Sequence, residues 1–290
     1  MNQLNISLNV KLIANELGLQ LVCVDSFSEI SNVSQVSDKC KGSLFFTNSF
    51  SDVDKNSCAI VKNVPDEINI TGNYIVSTNP RLSFIKALLF IEKSVGFNRG
   101  ERKPLIDPSV KVGRNVTIED NVVIGKHSVI EHNVVLHSGT HIGENCLVRS
   151  GAIIGSDGFG FERDSEGVPS KFLHFGGVRI GNHVEIGANT CIARGTFSDT
   201  IVEEYVKIDN LVHIAHNCLI GKGSFITACS ELSGGVQIGK NTWIAPNTSI
   251  KEKLVIGSDS LLGIGSVVTK NVKEGDVVFG SPAKSLKFRK

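Results

Sequence analysis

The sequence has no charge excess: 30 basic residues stand against 29 acidic ones, for a formal net charge of +1. Bulk electrostatics therefore call for neither nucleic acid nor an anionic membrane as partner, and any anion binding must be local. There is no Cys-x-x-Cys pair among the seven cysteines, Cys23, Cys40, Cys58, Cys146, Cys191, Cys218 and Cys229. An odd, scattered set without that spacing excludes a zinc or dithiol motif and reads as thiols of a reducing compartment. No run approaches the roughly eighteen apolar residues of a spanning helix. The N-terminus, MNQLNISLNVKLIANELG, has no basic start followed by an apolar core, so it does not read as a signal peptide. The cytoplasm is the expected location. What the chain does have is 290 residues at 41% hydrophobic content, enough to bury a sizeable core.

It also has a period of six. From Ile106 an aliphatic residue recurs at Val112, Ile118, Ile124, Ile130, Leu136, Ile142, Val148 and Ile154. The pattern resumes at Ile180, Ile186 and Ile192, and again from Val202 through Ile208, Ile214, Ile220, Ile226, Leu232, Ile238, Ile244, Ile250, Ile256, Leu262 and Val268. Gly often follows the aliphatic residue, and a small or β-branched residue often lies four places after it. A helix needs a period near 3.6 and an ordinary strand a period of 2. A strict period of six fits a solenoid with a triangular coil, each aliphatic residue pointing inward and each Gly permitting a tight corner. The twenty-four positions make about eight coils, in which residues 18 apart stack one above another. Two interruptions, 155–177 and the shorter 194–200, are loops thrown off a corner.

Residues 1–100 differ in character. KLIANELGLQ reads as an amphipathic helix stopped by Gly18, LVCVDSF, GSLFFTNS and CAIVKNV as strands, and NPRLSFIKALLFIEKSV as a helix with Pro80 at its first position. A small α/β domain (1–100) is thus expected before the solenoid (101–275) and a basic C-terminal tail (276–290). The fold class is mainly β.

The hexads resemble those of left-handed β-helix acyltransferases, and the left-handed sense comes from that resemblance. The segments GSDGFGF, IGNHVEIGANTCIARGTFSDT and VKIDNLVHIAHN, with LFFTN and TNPRLSFIKALLF before them, are similar in order and spacing to the UDP-3-O-acylglucosamine N-acyltransferase family of the lipid A pathway. The similarity runs from about residue 10 to about residue 250.

That resemblance makes His216, in IAHN, the general base. Amide formation from a thioester needs a deprotonated amine, and a neutral imidazole suits that task. It makes the amide of Gly234, 18 residues on and so one coil above the base, the oxyanion donor. Asp209 either orients the base, contacts sugar or is a turn residue. Phe45 either stacks on uracil or is a strand core residue, and Asn48 hydrogen-bonds the base edge. His132 and His137, five apart, have no third ligand about two coils away, so no metal is expected. No bound cofactor is expected either; the co-substrate is an acyl thioester on an acyl carrier protein or CoA. A homotrimer is expected, because flat prism faces leave apolar surface to cover, with active sites at subunit interfaces.

The chain departs from the family at three places. Ser51 stands where a tyrosine is expected, Lys253 where a second histidine is, and the end GIGSVVTKNVKEGDVVFGSPAKSLKFRK resembles acetyl-CoA-dependent sugar acetyltransferases. There, Lys284, Lys287, Arg289 and Lys290 can attract a CoA phosphate. Three readings follow: an N-acyltransferase on a UDP-amino sugar fed by acyl carrier protein; a short-acyl or acetyl-CoA enzyme on a nucleotide-linked dideoxyamino sugar for surface polysaccharide; or a non-catalytic β-helical scaffold.

Overall fold

The computed structural model describes residues 2–23, 28–38, 40–47, 53, 55–64, 72–100 and 102–285. Asn48, Ser51, Lys287, Arg289 and Lys290 lie outside the described residues. The chain forms two compact units, one of residues 1–100 with 160–173, the other of residues 101–159 with 174–290.

The first unit is a six-stranded mixed sheet with two helices. Its elements are β1 (Gln3–Asn9), α1 (Val10–Leu17), β2 (Gln20–Val22), β3 (Glu29–Val33), β4 (Ser43–Phe46), β5 (Cys58–Val61), β6 (Asn73–Val76) and α2 (Pro80–Ser94), with the strands in the order β1-β3-β4-β5-β6-β2. Both helices carry the expected punctuation. Gly18 closes α1 at φ 62°, and Asn79 caps α2 by accepting from the Leu82 N–H ahead of Pro80. The middle of the first interruption belongs to this unit. It forms a hairpin of Phe161–Arg163 against Pro169–Lys171, whose neighbour Phe172 packs against Phe84 of α2 with ring centroids 5.9 Å apart. Glu162 accepts from Arg81 of α2 at 3.0 Å.

The second unit is the solenoid, and each of the twenty-four aliphatic positions lies in a short strand. The strands make three parallel faces, begun by Leu105–Ile106, Lys111–Val112 and Thr117–Ile118. Register follows the eighteen-residue step, Val135 pairing with Ile153 and His213 with Glu231. From Ile124 onward the aliphatic residues are buried in one continuous core, where each fully buried isoleucine contributes about 2 kcal/mol. The small residue four places on now has a reason: Ser128 Oγ donates to the Gly143 carbonyl at 2.9 Å and accepts from the Cys146 N–H at 3.0 Å, so a core hydroxyl ties neighbouring coils together.

The glycine after the aliphatic residue corrects the expectation from sequence. Gly125 and Gly221 are not in the left-handed region; a Cβ on Gly221 would lie 2.6 Å from the carbonyl carbon of Gly239 in the next coil. Close stacking of coils demands these glycines. The corner itself is turned two residues later, most often by asparagine, as at Asn133 (φ 59°) and Asn241 (φ 53°), and next by glycine, as at Gly223 (φ 71°), because Asn tolerates that conformation better than other side chains and Gly has none.

Burial also sets thiol reactivity. Cys58, Cys146 and Cys218 are buried and Cys23, Cys40 and Cys229 exposed. Burial pushes the Cys218 thiol up to about 12, and the Cys58 and Cys146 thiols upward as well. Native protein alkylated at pH 8 and mapped by mass spectrometry is expected to carry label at Cys23, Cys40 and Cys229, the exposed thiols. Cys58, Cys146 and Cys218 react only after denaturation, since the thiolate is the nucleophile.

Candidate functional site

One corner of the solenoid, between the third and first faces, gathers the unusual features. Both interruptions leave from it, the first after Ile154 and the second after Ala193, and His216 follows the third-face strand His213–Ile214 on the next coil. Gly234 and Lys253 occupy this corner on the two coils beyond.

His216 is held on every side. Its Nδ1 lies 2.9 Å from Asn217 Oδ1. That oxygen also accepts from the Thr196 backbone N–H at 3.2 Å and from the Thr196 hydroxyl. A carbonyl oxygen cannot donate, so Nδ1 carries the proton and Nε2 the lone pair. A Cβ on Gly234 would lie 2.8 Å from that Nε2, and a Cβ on Gly158 would lie 2.8 Å from Cδ2 of the same ring. His174, buried, sets its ring at 70° to His216 with centroids 5.6 Å apart. Gly158 and His174 both come from the arms of the first interruption.

Stacking puts Gly234 directly over His216: the Gly235 N–H donates to the His216 carbonyl at 2.8 Å, and the Gly234 carbonyl accepts from the Lys253 N–H at 3.0 Å. At several other corners the matching N–H is taken by a side chain of an adjacent coil, as with Lys222 to Glu203 and Glu144 to Asn182, and at others, such as Ala228 and Glu252, it is left open among the described residues. Among the described residues, no hydrogen bond uses the Gly234 N–H. An open backbone donor beside an imidazole lone pair is the arrangement that acyl transfer requires.

Lower on the same corner, Arg194 ties the two interruptions to the coils beneath. Its Nε donates to the Gly155 carbonyl at 2.7 Å and its Nη2 to the Ser138 carbonyl. Glu119 accepts from His137 Nδ1 at 2.9 Å and from the Ser138 N–H at 2.8 Å. Burial pushes the Glu119 carboxyl up, but the Ser138 N–H, the His137 imidazole and the Arg194 charge outweigh it and hold it below its ordinary value.

The other expected residues fall elsewhere. Asp209 turns the corner between the second and third faces and lines a groove with Arg149, Lys207, Asn210, Phe225 and Thr227. Within one chain it is not brought to His216, and the group that orients the imidazole is Asn217. Phe45 is fully buried among Val53, Ala59, Val61 and Tyr74, a strand core residue whose ring offers no exposed face for stacking. His132 Nδ1 accepts from the Arg114 N–H at 2.8 Å, so His132 and His137 are each spent on a protein partner. Asn217, Thr196, Gly158 and His174 were not singled out from sequence. Gly158, Thr196 and Asn217 lie in the segments that carry the family resemblance, whereas His174 lies outside them, within the first interruption.

The period of six agrees with the families to which the chain is similar. Residues 121–156 and 199–234 match the bacterial transferase hexapeptide (six repeats). The chain is a hexapeptide-repeat solenoid. The solenoid resembles LpxA from Acinetobacter baumannii, with a TM-score of 0.58 at 24% identity over 63% of this chain and 69% of that one. It also resembles the Francisella novicida UDP-N-acetylglucosamine acyltransferase, with a TM-score of 0.54 at 24% identity over 63% and 67%. These likenesses carry the fold, a left-handed parallel β-helix. Curated relatives include UDP-3-O-acylglucosamine N-acyltransferase 2 of Legionella pneumophila (strain Lens), 43% identical over 46% of this chain and 38% of the relative. The enzyme of Rickettsia prowazekii is 42% identical over 44% and 37%. The matches thus span about two fifths of the length of these curated relatives.

Proposed function

We propose that the solenoid is an N-acyltransferase that moves an acyl group from a thioester to the amine of a nucleotide-linked amino sugar, as the names of its relatives describe. The observation that carries this reading is the closeness of His216 Nε2 to Gly234 one coil above, where an added Cβ would lie 2.8 Å from it, together with a Gly234 N–H that no hydrogen bond uses among the described residues. In the reaction, Nε2 takes a proton from the attacking amine as nitrogen bonds to the thioester carbon. The Gly234 N–H donates to the oxyanion of the tetrahedral intermediate. Collapse releases the thiol, which recovers the proton from His216, leaving an amide. Nothing in these steps calls for a metal or a bound cofactor. A reducing compartment, the cytoplasm, fits a chain whose cysteines are free.

The assembly we propose is a homotrimer with its sites between subunits. Two observations favour it. Asp209 and His216 lie on different corners of one chain, so a shared site needs the Asp209 groove of a second copy. Phe225, Trp243 and Leu261, in register on the second face, leave an apolar ladder 40%, 44% and 41% exposed. Mixed trimers of His216→Ala and Asp209→Ala chains are expected to recover activity that neither variant has alone, because some interfaces then carry both native residues. Absence of recovery, or a monomer in sedimentation, contradicts this arrangement.

Lys253 favours a second reading of the donor. It stacks on Gly235 at the same corner, where an ammonium can hold an anionic thioester carrier but cannot act as a neutral imidazole. An assay with acetyl-CoA and with long-chain acyl carrier protein in parallel separates the two donors. Transfer from acetyl-CoA alone selects the short-acyl reading, and transfer from the carrier protein alone selects the lipid A type of reaction.

A further inference from the structure

We infer that Thr196, in the second interruption, is a positioning residue that fixes the tautomer of His216 through Asn217. The inference rests on the proposed role of His216 and adds to it. The 194–200 segment interrupts the hexad pattern, and its hydroxyls converge on one residue, two of them on its side chain and one on its backbone N–H. Thr196 gives Asn217 Oδ1 two donors, its backbone N–H at 3.2 Å and its hydroxyl; Ser198 Oγ lies 3.5 Å from Asn217 Nδ2; and Thr200 Oγ1 accepts from the Asn217 N–H at 2.9 Å.

An amide is symmetric enough to flip, and a flipped Asn217 would present its NH2 to His216 Nδ1. Nδ1 would then be the acceptor, the proton would move to Nε2, and the lone pair would be lost from the face toward Gly234. Thr196 disfavours the flip, because its N–H would then confront an NH2 group and its hydroxyl would have to turn from donor to acceptor. The hydroxyl touches neither His216 nor the space beside Gly234, so its effect on chemistry is indirect.

The test uses the full chain with 15N-labelled histidine and the variants Thr196→Val and Thr196→Ser. Wild type is expected to show the Nδ1–H tautomer at His216. Thr196→Val is expected to show a mixture of tautomers and about a tenfold loss of kcat with KM for both substrates unchanged, and Thr196→Ser to restore both. Thr196→Ala reads the same contact if the valine variant does not fold. Because Thr196→Val keeps the backbone N–H, the inference concerns the hydroxyl, and a single Nδ1–H tautomer in that variant overturns it whatever its rate. If the tautomer responds as expected but neither wild type nor variant transfers an acyl group, the positioning role stands and the proposed function falls.

Discussion

Replacing His216 by alanine is expected to lower kcat by about two to four orders of magnitude, the contribution of a positioned general base. The loss should appear in kcat and kcat/KM together, because the proton leaves the amine only on the way to the tetrahedral intermediate. Folding should survive. His216 stands at a corner outside the aliphatic core, and its backbone carbonyl, which accepts from the Gly235 N–H, is untouched by the substitution. The melting temperature is therefore expected to stay within a few degrees of wild type. A His216→Ala protein with wild-type turnover would remove His216 from the chemistry, and no turnover in either protein would return the chain to the scaffold reading.

Gly234→Ala probes the same site from the opposite coil. Its Cβ would lie 2.7 Å from Cε1 and 2.8 Å from Nε2 of His216, in the space the amine and the thioester carbonyl must share. The ring is pinned by Asn217 on one side and faces Gly158 on the other, so it has little room to retreat. Misplacement of a catalytic group by about 1 Å can cost about 100-fold in rate, and that loss in kcat is expected here. The cost in stability is separate, of the order of 1 kcal/mol or a little more for one crowded methyl group. Gly234→Ala and His216→Ala are also expected to be strongly non-additive. Once the imidazole is gone, the added methyl displaces nothing, and the double variant should resemble His216→Ala alone.

The solenoid was legible because a triangular coil restricts every sixth residue. Twenty-four aliphatic positions, twenty-one of them in one phase and Ile180, Ile186 and Ile192 shifted by the interruptions, leave no competing period, and all of them lie in strands. The reason for the glycines was not legible from the pattern, since clearance between Gly221 and Gly239 is a property of stacked coils and not of a single turn. His216 and Gly234 could be paired from their spacing of 18. Asn217 could not be seen as the orienting group, because its partner Thr196 is reached across an interruption that breaks the arithmetic. Asp209 is close to His216 in sequence yet turns a different corner. In the first unit, α1 and α2 were marked by Gly18, Asn79 and Pro80, whereas β1 and β3 carry no such punctuation. Phe45 shows the limit of a local pattern: whether an aromatic on a strand faces core or ligand depends on what Ala59 and Tyr74 bring against it.

The most direct test of the account is turnover. Purified protein is incubated with a UDP-linked 2-amino sugar and either acetyl-CoA or acyl carrier protein thioester, beside His216→Ala, and the products are read by mass spectrometry. The account predicts amide formation from at least one donor, lost by at least a hundredfold in the variant. Amide formed equally well by His216→Ala, or no amide from either donor, would contradict it.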